Sequence, residues 1–250
     1  MNNDVDTEQH SLLKSILLHF MPAIIWLICY IPLARISSRT NIPTMFVMYL
    51  LVAVVLVPTE LGYLYSLGKR RSGRFTLEGI VFFRESIPWW QYVVFGLIIA
   101  IWIVLVFFGI GEQLAKLFKA HIFFWVPDWF LLNRGVPEQN GPFVETTMWV
   151  FGLIFIGLIG PLTEELYFRG YLLPRLSRFR IWAPLLNVVL FSAYHFWQPH
   201  YCVVTVIAML PLVYCVWWKK NIYLGVGVHC FLNTLGWLIE FIQRLGSSPN

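Results

Sequence analysis

Residues 90–111 contain no charged side chain. A helix needs about 20 apolar residues to cross a bilayer, and this run meets that length. The pattern recurs at 12–33, 42–67, from 146 onward, 181–197, 201–218 and 222–241. In lipid every backbone N–H and C=O must be satisfied within the protein, so runs this long are helical. The 250-residue chain is 58% hydrophobic and 12% charged, about half the charged share of a soluble domain. The expectation is an all-α, polytopic transmembrane helix bundle of about seven spans, with interfacial amphipathic helices.

No polar stretch is long enough to fold apart, so residues 1–250 read as a single membrane domain. Asp4, Asp6 and Glu8 stand where a signal peptide has basic residues, and no small-residue cleavage site follows the first apolar run. That run is expected to remain as a span. Cys29, Cys202, Cys215 and Cys230 lie inside apolar runs without CxxC spacing. Free thiols are expected, with neither a disulfide framework nor a zinc knuckle.

Net charge is +5. In a soluble chain that balance suggests nucleic acid; here the basic residues sit in short loops and report topology, so no nucleic-acid partner is expected. Placing the N-terminus inside puts Lys14, Lys69, Arg70, Arg71, Arg74, Arg84, Arg169, Arg175, Arg178, Arg180, Lys219 and Lys220 on the inner side. Arg35, Arg39, Lys116, Lys119, Arg134 and Arg244 fall on the other. Twelve against six favours N-in, C-out. Residues 75–83 and 112–145 are the amphipathic and aromatic candidates for the interface, with Leu114, Leu117 and Phe118 on one face and Trp125 and Trp129 following. Gly135, Pro137, Gly141 and Pro142 mark 133–142 as a loop, and 243–250 reads as a polar tail.

Chemistry concentrates at residues 160–170, where Glu164 and Glu165 close a long apolar run. Acidic side chains inside a span face a protein interior or a wet cavity and mark function by default. Meeting lipid headgroups is the bland reading of the same pair. On a helix Glu165 and Arg169 share a face and can pair, while Glu164 points about 100° away and is left for chemistry. His195 lies in the fifth run; His229 and Asn233 share a face of the seventh. A lone intramembrane His is more often structural, which is the role given to His19 and His121. His10 and His200 are expected in solvent or at an interface. At 1.5 Å per residue, Glu164 lies about 16 Å from Arg175, His195 about 20 Å from Trp182 and His229 about 12 Å from Asn221. The three then reach one level, provided that Arg169 is buried. The run from Thr146 to Arg178 is too long for one straight span, and Gly160-Pro161 and Gly170/Pro174 are the expected breaks.

Glu164-Glu165-x-x-x-Arg169, Phe191-x-x-x-His195 and His229-x-x-x-Asn233 resemble, in order and spacing, the signature of the CPBP family, the CAAX-protease and bacteriocin-processing (Abi) intramembrane endopeptidases. The resemblance covers roughly residues 146–240, and residues 1–145 carry no recognised motif. It implies peptide-bond hydrolysis within the membrane, on membrane-associated protein or peptide substrates. By similarity Glu164 activates water with His195, His229 and Asn233 stabilise the oxyanion, and Glu165 with Arg169 is an orienting pair. Relatives cut prenylated CAAX proteins, process bacteriocin leaders or act in protein sorting. The short loops and basic inner face suggest a bacterial inner (plasma) membrane, where prenylated substrates are less expected.

The chemistry is coherent. A carboxylate in a dry cavity is a stronger base than in water, and His and Asn donate well to an oxyanion there. Glu164, His195 and His229 also match a catalytic zinc set. The sequence has no HExxH, and the resemblance favours a metal-free, glutamate-dependent mechanism. Two other classes compete. One is a transporter or proton/ion pathway through the same cluster, whose mark would be paired broken helices in two related halves. The other is a non-catalytic immunity or binding member of the fold.

Overall fold

The computed structural model describes residues 8–40, 42–132 and 141–247, and the regular elements among them are all helical. Among these residues the one β-type contact is an isolated bridge between Arg84 and Asn221. Six stretches are long and apolar enough to cross a membrane. They are Leu12–Ser37 (α1), Thr44–Ser72 (α2), Trp89–His121 (α3), Phe143–Tyr194, Pro199–Lys219 and Ile222–Arg244.

The difference from the expected seven lies in the fourth stretch. It does not break at Gly160-Pro161 or at Gly170/Pro174. Wide π-type turns at Leu153–Ile159 and Glu165–Leu172 carry the helix through. Pro161 lies inside this continuous helix, and the carbonyls one turn before it, Ile156 O and Gly157 O, accept from Asn233 Nδ2 (3.1 Å) and Thr234 Oγ1 (3.4 Å) instead. The chain turns instead at Arg180, whose φ of 51° and ψ of −126° interrupt the 3-10 segment Leu173–Trp182. The stretch is therefore two limbs, α4 (143–179) and α5 (Ala183–Tyr194). Helix α5 stops at Tyr194, so His195 stands just past a helix end and not inside a span reaching 197. Cys202–Lys219 (α6) and Ile222–Ser247 (α7) complete the bundle. The expected tail from residue 243 continues α7 as far as Ser247.

Hydrogen bonds gather the basic segments at one end. Residues 73–88 form turns and extended chain, not an amphipathic helix. Phe82 N–H donates to Gly170 O (2.8 Å), Glu85 N–H to Lys220 O (2.9 Å) and Ile222 N–H to Phe83 O (2.6 Å). Asn221 Nδ2 donates to Glu85 O (2.6 Å), and Arg175 Nη1 to Ile80 O (3.2 Å). The N-terminal segment docks here too, with His10 N–H donating to Arg175 O (2.9 Å). His10, expected in solvent or at an interface, is buried with its ring edge-on to Tyr171. The turns after α2, α4 and α6 thus share one end with the segment before α1.

The other expectations fare variously. His19 is structural: its Nδ1 donates to Ser15 O (2.7 Å), which leaves Nε2 to accept from Asn187 Nδ2 (3.1 Å). His121 is exposed at the end of α3, and Leu114, Leu117 and Phe118 lie on the continuation of that same helix. The cysteines are free. The expected loop at 133–142 lies outside the described residues except for the helix start at 141–142, and Asp4 and Asp6 lie outside them altogether.

Candidate active site

Glu165 and Arg169 sit one turn apart on α4, both fully buried, with Nη1 3.5 Å from Oε1. The guanidinium carbon also lies over Phe191, 3.8 Å from the ring centroid. An ion pair in a dry interior needs such extra partners to offset desolvation. Helix α7 closes on this pair because residue 225 is glycine: a Cβ there would stand 2.6 Å from Glu165 Oε2. That approach brings His229 Nδ1 to 3.0 Å from Glu165 Oε1. A carboxylate only accepts, so Nδ1 carries the proton and Nε2 is turned away from Glu165.

Glu164 meets that Nε2. Its Oε2 is 4.0 Å from His229 Nε2, and its Oε1 is 3.9 Å from His195 Nε2. Both separations are too long for direct hydrogen bonds, and a water lying to one side of the N···O line can stand about 2.8 Å from both atoms. His195 is oriented by the same logic as His229. Its Nδ1 donates to Phe191 O (2.8 Å), so Nε2 carries the lone pair in the neutral ring. Phe191, Tyr194 and Trp197 enclose the imidazole, with centroids 4.8, 4.9 and 5.0 Å away.

Asn233 lies one turn beyond His229 on α7. Its Nδ2 donates to Ile156 O (3.1 Å), and Thr234 Oγ1 donates to Gly157 O (3.4 Å), both in the wide turns of α4. An amide nitrogen has two protons, so one remains after the bond to Ile156. Glu164, His195, His229 and Asn233 all line a cavity of about 660 Å³. Its walls are largely apolar, including Met45, Val52, Ile103 and Phe155, while Gln198, His200 and Glu240 add polar groups.

The structure thus brings together all six residues singled out from the motifs. Among the described residues, no three His, Cys, Asp or Glu side chains form a group placed to hold a metal ion. One acidic residue near the cluster escaped the sequence reading. Glu60 of α2 is fully buried and accepts from the Tyr194 hydroxyl (3.1 Å). It is the only acid in the apolar run 42–67, and that was the available signal.

Residues 146–235 match the family model described as Rce1-like, type II CAAX prenyl endopeptidase. This region matches the CAAX-protease family. The CAAX-protease-like region begins in α4 and ends just after Asn233, so it contains Glu164, Glu165, Arg169, His195, His229 and Asn233. Glu60 falls outside it. The family is one of proteases, which supports a hydrolase, and its setting in this chain is an integral, multi-pass membrane protein. No curated protein and no solved structure matches the chain.

Proposed function

We propose that the protein is an intramembrane endopeptidase acting on membrane-associated protein substrates. One observation carries the reading: the Glu164 carboxylate faces Nε2 of both His195 and His229, at 3.9 and 4.0 Å, in a cavity with apolar walls. A water held between Glu164 and His195 donates one proton to each. Its oxygen attacks the scissile carbonyl carbon as Glu164 takes the proton. The negative charge gathers on the carbonyl oxygen, where the second amide proton of Asn233 and Nε2–H of His229 donate to it. With Nδ1–H already engaged by Glu165, His229 donates in this way only with a proton on each nitrogen. Glu165 is then its counter-charge. As the intermediate collapses, the C–N bond breaks and the proton on Glu164 passes to the departing nitrogen.

No step is routed through a metal. Asn is a poor zinc ligand, yet Asn233 shares the cavity with the two His. That placement and the family resemblance support the metal-free version. The end of the bundle that gathers residues 8–10, 73–88, 174–180 and 219–221 is the cytoplasmic end in this proposal, giving N-in, and the membrane is a bacterial inner membrane.

A proton or ion pathway is the competing use of the same side chains. Purified protein in lipid vesicles with a membrane-anchored peptide separates the two. Two product peptides with masses adding to substrate plus one water support the protease. Ion flux without products supports the pathway.

A further inference from the structure

Among the described residues, α1, α2 and α3 contribute one fully buried acid to the bundle, and its place is not accidental to the cluster. Glu60 lies in the wide turn Pro58–Gly62, with its side chain wholly removed from solvent. A carboxyl group buried in a span is expensive unless something holds it. Here Oε1 accepts from the Tyr194 hydroxyl at 3.1 Å, while Oε2 is buried without a hydrogen-bond partner. Tyr194 is itself fully buried, and it is the last residue of α5. The next residue, His195, leaves helical geometry with φ −78° and ψ 62°. The Tyr194 ring stands perpendicular to the His195 imidazole, with centroids 4.9 Å apart. Phe168 and Trp197 also pack against the Tyr194 ring, with centroids 4.9 and 5.5 Å away.

We propose that Glu60 is a positioning residue for the hydrolysis: by accepting from Tyr194 it fixes the end of α5 and thereby aims His195 at Glu164. This rests on the protease reading above for its consequence, though not for its geometry. It also gives α2, which carries no recognised motif, a part in the site. The reacting groups sit on α4, at the end of α5 and on α7. Glu60 ties one of them to a fourth element. A displacement of about 1 Å at a reacting group can cost on the order of 10²-fold in rate, so a second support for His195 matters.

The test uses Glu60→Leu, Tyr194→Phe, their combination, and Glu60→Gln in the full-length protein in lipid nanodiscs. Gln keeps an oxygen acceptor for the tyrosine; Leu removes it. Glu60→Leu and Tyr194→Phe should each lower kcat about tenfold to 10²-fold with KM little changed. The double variant should lose no more than either alone, and Glu60→Gln should stay within a few-fold of wild type. Additive losses, or an undiminished kcat in Tyr194→Phe, would overturn the proposal. A second readout does not depend on activity. In protein carrying ¹⁵N-histidine, the His195 ring resonances should move or broaden alike in Glu60→Leu and Tyr194→Phe and stay put in Glu60→Gln. Unchanged His195 resonances in the first two variants overturn the proposal even if the wild type cleaves no peptide, an outcome that would count against the protease reading alone.

Discussion

Nδ1 of His229 donates to Oε1 of Glu165 across 3.0 Å, and that contact decides which nitrogen of the imidazole faces Glu164. Glu165 meanwhile holds Arg169 at 3.5 Å with neither side chain exposed. Removing Glu165 strands Arg169 as a buried charge without its carboxylate, and removing Arg169 leaves Glu165 with the His229 contact alone. Glu165→Ala and Arg169→Ala are each expected to destabilise the protein by about 3–5 kcal/mol. Thermal melts in detergent measure this, and wild-type melting of both variants would mean that the pair does not hold the bundle.

Asn233→Ala separates the two ways in which the cluster could polarise a carbonyl. Loss of an oxyanion donor is expected to lower turnover by about 10²–10³. A chelator is expected to leave the wild type active. Cleavage that a chelator abolishes and zinc restores, in protein carrying stoichiometric zinc, would instead place the polarisation on a metal.

Topology is checked by reporter fusions after Ser72 and at the C-terminus. Ser72 closes α2 at the end of the bundle where the basic loops gather, and α7 leads away from that end. The two reporters are expected on opposite sides, with Ser72 in the cytoplasm. Finding both on one side would contradict N-in, C-out.

His10 gives a pH dependence. Burial first, and then the charges of Lys14 and Arg175, pull its pKa down from 6.5 to about 4. A base whose folded pKa is lowered favours folding in its neutral form. Docking of residues 8–10 is therefore complete above about pH 6.5 and is progressively lost as pH falls toward 4. Hydrogen exchange at the His10 amide, which donates to Arg175 O, should speed up over that range beyond its intrinsic change. His10→Phe should abolish the extra acceleration, and equal behaviour of the two proteins would contradict the assignment.

Much of this was legible beforehand because lipid imposes simple rules. Uncharged runs became helices, and Glu165 with Arg169 at helical spacing became a buried pair. The His and Asn of the last run turned to one cavity because residues four apart share a face. Other features depended on tertiary contacts that no local pattern carries. Gly160-Pro161 looks like a break, but a π-type turn just before it absorbs the proline, and the reversal falls at Arg180, an unremarkable residue in sequence. His10, in a polar tail, reads as a solvent or interface residue until Tyr171 and Arg175 are seen to bury it. Glu60 carries no motif, and its relation to Tyr194 spans 134 positions.

The central claim is that the Glu164 carboxylate is the base that activates water. Its most direct test is the cleavage rate of a membrane-anchored peptide by purified Glu164→Gln protein, beside wild type of matched thermal stability. Gln keeps the size and hydrogen-bonding capacity of the side chain and removes its basicity. The expected result is a folded variant with no detectable product. Cleavage by that variant at a rate near wild type would contradict the account.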